Sequence, residues 1–241
     1  MEEEPDHDEG NTDEDGERSG CHAHEPYCRM ASVAGVTLER PRNLRAASRL
    51  ARLIGVVAVL GGAAVLHLIR QRGVPVWNSL WAEDGRVFLS DAIRDFHGTF
   101  LAQNGGYIHI LPRSIAGAVS LLPVTDAAAG MAIGAAIAVA LVAGFVYLAS
   151  AEVVGSRALR LALAGAVVFV PIPGTELLAN TTYLHFYLLF ACFWALVWQS
   201  ETAFGLGSRS AVVVATALSD PLAALFLPLA IVGPIARRST R

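Results

Sequence analysis

Glu83 and Asp84, in the stretch Trp81-Ala82-Glu83-Asp84-Gly85, set two carboxylates just beyond the first long apolar run of the chain. Carboxylates at a water–lipid boundary are hydrated cheaply. They can take a proton from a hydroxyl or hold a cation beside a substrate whose tail stays in the bilayer. Adjacent side chains diverge on any regular backbone, so the pair reads as one base, Asp84, with Glu83 as its helper. The other polar side chains at the edges of apolar segments are Tyr107, His109 and Arg113, then Glu176, Asn180 and His185, then Asp220. All of these but Glu176 form the expected substrate-binding set. Each also has a plain structural reading: Arg113 pairs with Asp84 or Asp91 to fix a loop, and His185 is a packed helix histidine. Asn180-Thr181-Thr182 matches a glycosylation sequon, a weak signal outside a eukaryotic secretory route.

The elements that must position these residues are apolar. Hydrophobic residues make up 54% of the 241, and mean hydropathy is +0.49. Several uncharged stretches approach or exceed the roughly 20 residues that cross a hydrocarbon core. The reading is an all-α, polytopic transmembrane bundle of five or six membrane helices over 39–241, in the plasma membrane. Arg40, Arg42, Arg45, Arg49 and Arg52 precede the first run, Leu53 to Ile69, which puts the N-terminus in the cytoplasm and the 70–107 loop outside. Within that loop Leu89, Ala92, Ile93 and Phe96 recur at helical spacing, which predicts an amphipathic helix on the membrane surface. Gly105-Gly106 ends it.

Tyr107 to Val124 carries Arg113 in a short apolar run, so a full crossing and a half-inserted helix both remain open. Ala127 to Ala151 spans, and its Gly130 and Gly134 allow a close helix approach. Leu161 to Gly174 and Tyr183 to Trp198 read as further spans. Ala211 to Ala236 either crosses once with tilt or breaks at Ser219-Asp220-Pro221. Arg157, Arg160 and Arg209 assign their loops to the cytoplasm, and the base-free segment from Thr175 to Thr182 to the outside. That alternation is simplest if 107–124 does not cross completely or if one later run re-enters the membrane, and the sequence leaves both open.

All eighteen basic residues are Arg, a bias attributed to genome composition rather than to nucleic-acid binding. Eleven of the twenty-one acidic residues fall in the first twenty-five positions, which leaves the remainder basic. Residues 1–38 are expected to be a disordered acidic tail. Its Cys21, His22, His24 and Cys28 are metal-ligand types in a spacing that fits no common zinc module, and no metal site is assigned to them. Cys192 reads as a small core residue.

A basic flank and first helix, an external loop opening on an acidic pair, an interfacial helix, and Gly106-Tyr107-Ile108-His109-Ile110-Leu111-Pro112-Arg113 before the next apolar segment together resemble the GT-C superfamily of membrane glycosyltransferases. Protein mannosyltransferases and aminoarabinose transferases belong to it. The resemblance covers about Arg45 to Asp126. It implies a sugar donor carried on a polyprenyl phosphate and an acidic general base or metal contact in the first external loop, here Asp84 with Glu83 beside it. It also implies lipid-phosphate contacts at Tyr107, His109 and Arg113, though the Lys-Pro-Pro type sequence frequent there in relatives is missing. A divalent cation is a possible cofactor by the same likeness. Competent relatives generally have eight or more spans, so the chain reads as truncated, as a half that needs partner helices from another subunit, or as a relative that kept the fold alone. Two other classes stay open: a transporter or lipid-flipping subunit centred on Asp220, and a noncatalytic membrane scaffold using the Gly130–Gly134 face.

Overall fold

A computed structural model describes residues 42–71, 73, 75–170 and 178–232, with side chains from Ser48 onward. The acidic tail, its Cys and His residues, Glu176 and the terminal arginines lie outside the described residues. Two compact units divide the chain, Met1–Ala47 and Ser48–Arg241. Of the first, only the helical backbone from Arg42 is described.

The regular structure of the described residues is helical, apart from one isolated bridge between Asn104 and Tyr107. Among these residues α-helices follow in the order α1 Arg42–Ile69, α2 Ser90–Arg94, α3 Ile110–Val119, α4 Ala127–Ala149, α5 Arg157–Val168, α6 Leu184–Val197 and α7 Ala203–Ser219, and the chain is helical again over 227–232. Two of the described helical stretches, Ser48–Ile69 and Val124–Glu152, are long and apolar enough to cross a membrane. The other apolar helices have 10–17 residues. At 1.5 Å per residue they reach about 15–25 Å, less than a typical hydrocarbon core of about 30 Å.

Helix α4 is the centre of the fold. Ala135, Val139, Val142, Ala143 and Val146 pack with Val167 and Val168 of α5 and with Leu184, Tyr187 and Trp194 of α6. Its outer side carries exposed Ile133, Ile137, Leu141 and Leu148, so α4 is apolar all round, as a spanning helix is. Gly130 and Gly134 face α3. A Cβ on Gly130 would lie 2.9 Å from Val119 Cγ2, and one on Gly134 2.5 Å from Ile115 Cγ2. The small-residue face is therefore covered by α3 of the same chain. Helix α3, ten residues long, is too short to cross.

Helices α6 and α7 are antiparallel. Arg209 Nε donates to the Ala195 carbonyl at 3.0 Å near one end, and Thr216 Oγ1 to the Leu188 carbonyl at 3.2 Å toward the other. Helix α7 begins eight residues before the apolar run that announces it. Thr202 caps it by accepting from Gly205 N at 3.0 Å. It stops at the expected break: Asp220 is extended, and its side chain caps a new 3₁₀ segment, Pro221–Phe226, by accepting from Leu222 N at 2.8 Å. Pro221 suits that first position because its missing N–H has no helical acceptor there.

The predicted surface helix differs in detail. A π-helical turn over Asp84–Leu89 precedes α2 and turns Phe88, Leu89 and Ala92 inward, leaving Ile93 and Phe96 exposed. The wider turn shifts the buried face away from the one that a constant 3.6-residue period assigns.

Candidate functional site

Asp84 sits in the π-helical turn with its residue 1% exposed. Its Oδ1 accepts from Thr181 Oγ1 at 2.8 Å, Thr182 N at 2.9 Å and Thr182 Oγ1 at 2.7 Å. Oδ2 accepts from Thr181 N at 2.8 Å. The loop between α1 and α2 is thus clasped to the segment entering α6, across nearly a hundred residues of chain. Burial pushes the Asp84 carboxyl above its ordinary range, against the downward pull of these hydrogen bonds. The expected neighbours Arg113 and His109 are not its partners. Glu83 is half-buried and outside the clasp, with Oε2 lacking a hydrogen-bond partner among the described residues.

Arg113 is fully buried on α3 and takes the alternative partner, Asp91, at 3.1 Å. Its Nε donates to the Ile108 carbonyl at 2.9 Å, Nη1 also reaches Thr99 Oγ1 at 3.3 Å, and the guanidinium lies over the Phe88 ring. Nη2 has no partner among the described residues.

His109 immediately precedes α3 in the left-handed conformation, φ 56°. Gly105 and Gly106, both at positive φ, make the two-residue turn that brings Tyr107 back against Asn104. The Tyr107 ring then lies 4.1 Å from the His109 ring. The backbone N–H groups of Ile108 and His109 both reach the Leu218 carbonyl at 3.2 Å, which ties this corner to the end of α7. Burial first, then the nearby His185, lowers His109 from 6.5 to about 4, so it is neutral at physiological pH.

His185, the second residue of α6, has its ring centroid 6.0 Å from that of His109. Its Nδ1 lies 2.8 Å from the Thr182 carbonyl. A carbonyl only accepts, so Nδ1 carries the proton and Nε2 the lone pair in the neutral ring. Nε2 is 3.8 Å from Asp220 Oδ2. Asn180, just before the clasping threonines, accepts from Tyr183 N at 3.3 Å and shapes the turn into α6.

The fold therefore brings together Asp84, Tyr107, His109, Arg113, Asn180, His185 and Asp220 in one connected polar cluster, with Glu83 at its margin. Sequence reasoning missed Thr181 and Thr182, which it saw only within a sequon, and Thr99 as a further anchor of Arg113 beside Asp91. Two adjacent hydroxyl residues in the one base-free loop, opposite an acidic pair, were the available signal. Among the described residues no group of three or more His, Cys, Asp or Glu converges as metal ligands. Asp84 is clasped by the threonines, Asp91 is paired with Arg113 and Asp220 caps a helix, so these carboxylates do not converge on one point. A shallow cleft between α6 and α7, lined by Leu196, Leu206, Arg209 and Val213, does not include the cluster.

No protein-family model, curated protein or solved structure matches this chain.

Proposed function

We propose that the chain is a multi-pass membrane protein with its N-terminus in the cytoplasm, and that the polar cluster transfers a sugar from a polyprenyl-phosphate donor on the outer side. The reading rests on the GT-C resemblance. The observation that carries it is the convergence of ionisable residues from four separate chain segments into one buried cluster, because desolvating so many polar groups costs several kcal/mol unless something is gained from them.

Arg113 Nη2, unsatisfied in a buried guanidinium beside neutral His109, suits a lipid-linked phosphate. The arginines support the orientation. Arg49 and Arg52 lie in the first half of α1, Arg157 and Arg160 at the start of α5, and Arg209 early in α7, whereas the cluster gathers residues near the end of α7 and the starts of α3 and α6. With α1, α4, α5, α6 and α7 crossing alternately and α3 only half inserted, every one of these arginines falls on the cytoplasmic side.

Membranes containing the protein are expected to transfer labelled sugar from a polyprenyl-phosphate donor above the level of control membranes, and Arg113→Ala to lower that transfer at least tenfold with the protein still inserted. Transfer no greater than in controls, across hexose and pentose donors, rejects the reading. The helix break at buried Asp220 favours a second reading, a transporter or lipid-flipping subunit. Lipid translocation in vesicles that needs Asp220 and no sugar transfer would establish that alternative.

A further inference from the structure

The acidic residue that the resemblance makes the base is the one most heavily engaged by donors. A carboxylate offers about two lone-pair positions on each oxygen. Asp84 takes three donors on Oδ1 and one on Oδ2, all held by the backbone and side chains of Thr181 and Thr182. Oδ1 is crowded beyond its positions, and the one left on Oδ2 belongs to a residue only 1% exposed. His185 is the opposite case. Its Nδ1–H is committed to the Thr182 carbonyl, the same residue whose N–H and hydroxyl hold Asp84. That leaves Nε2 as an acceptor, with Asp220 Oδ2 at 3.8 Å, too far for a hydrogen bond and near enough to stabilise an imidazolium. Asp220 is itself fixed, because its Oδ1 accepts from Leu222 N. His185 also keeps 11% of its side chain exposed, more than Asp220 at 5%. The charged or titratable groups facing it are Asp220 at the end of α7, His109 before α3 and Tyr183 at the start of its own helix.

We propose that His185 Nε2 is the proton acceptor of this site, that Asp220 compensates the charge His185 gains, and that Asp84 is a positioning residue that fixes Thr182 and, through its carbonyl, the tautomer and direction of the imidazole. The proposal rests on the sugar-transfer reading. As the acceptor's hydroxyl oxygen forms its bond to the anomeric carbon, the hydroxyl proton passes to Nε2. The bond from that carbon to the phosphate oxygen breaks, and its electron pair leaves with the lipid phosphate. His185 then returns the proton to the released phosphate or to water. The arrangement follows the logic of a carboxylate–histidine pair, in which the carboxylate stabilises the imidazolium and does not itself take the proton.

The test uses the full chain in its membrane with the labelled polyprenyl-phosphate donor. His185→Asn keeps a donor toward the Thr182 carbonyl and removes Nε2. It is expected to lower kcat about 100-fold with little change in KM. His185→Ala is expected to regain at least tenfold of its lost rate when imidazole is added. Asp84→Ala is expected to lose activity that formate does not restore, and Thr182→Ala to reproduce part of that loss although Asp84 is intact. Wild-type transfer with an unimpaired His185→Asn, or formate rescue of Asp84→Ala, overturns the proposal alone. If the wild-type chain transfers nothing, the transfer reading falls first and the assignment of His185 with it. Should His185→Ala unfold, the rate of folded His185→Asn decides.

Discussion

His109 combines two costs at one position. A non-glycine residue in the left-handed region carries about 1–2 kcal/mol of strain, and its imidazole is buried where charge is disfavoured. The second cost makes stability depend on pH with a definite sign. With the folded value near 4 and the ordinary value at 6.5, the unfolded chain binds more protons between these limits. Stability from His109 is therefore complete above pH 6.5 and is lost progressively as pH falls toward 4. Thermal unfolding in detergent is expected to show Tm falling across that window, and His109→Asn, which tolerates the left-handed conformation and does not titrate, to flatten the fall. A slope unchanged by the substitution would remove His109 as its source. At this scale the sequence singled out side chains that the fold gathers into one cluster, but not their pairings. Arg113 had two acidic candidates and took Asp91. Asp84 went to two threonines, because a carboxylate's partners are chosen by which N–H and O–H groups the fold brings within 3 Å, and Thr181 is 97 positions away.

At the scale of elements, the contact of α3 with α4 turns on glycine. Gly134→Ala would set a Cβ 2.5 Å from Ile115 Cγ2, so α3 must move or Ile115 must leave its place. In an open helix the same change gains about 1 kcal/mol of helix propensity. At Gly134 it is expected to cost about 1–3 kcal/mol through overpacking. Gly61→Ala in α1, with nothing within 4 Å, is the control and should be neutral or stabilising. Thermal melting of both, and of Gly134→Ala combined with Ile115→Ala, measures the coupling; additive effects in the double variant would show that the two side chains do not meet. Helix α4 and the break at Asp220 were legible because an uncharged run and an Asp-Pro pair act locally. The start of α7 was not. Residues 203–210 contain two glycines and an arginine and read as a linker, whereas the helix is secured by the Thr202 cap and by Arg209 reaching across to α6. The face of α2 was misassigned because the π-helical turn before it broke the period.

For the whole molecule, the orientation can be checked directly. In a background with Cys21, Cys28 and Cys192 replaced by Ser, an impermeant maleimide added to intact cells is expected to label Gln103→Cys and to spare Gly155→Cys until the membrane is opened. Gln103 precedes the half-inserted α3 and Gly155 follows α4, and labelling of both from outside would overturn the proposed crossing of α4. Helix α1 is fastened unlike the others. Only 6% of its apolar window is buried. Its attachments gather in the second half: Leu60 beside Gly144, His67 accepting from Ala179 N at 3.3 Å, and Arg70 at the very end donating to the carbonyls of Val168 and Val170. In a bilayer such a helix is a rod pinned at one end. The 22-residue stretch Ser48–Ile69 measures about 33 Å, against about 18 Å for the 12 residues of α5. In the proposed multi-pass arrangement, hydrophobic mismatch would be met by two different responses in one protein: α1 would tilt about its pinned end as lipid thickness changes, while the short helices would hold the bilayer thin around the polar cluster.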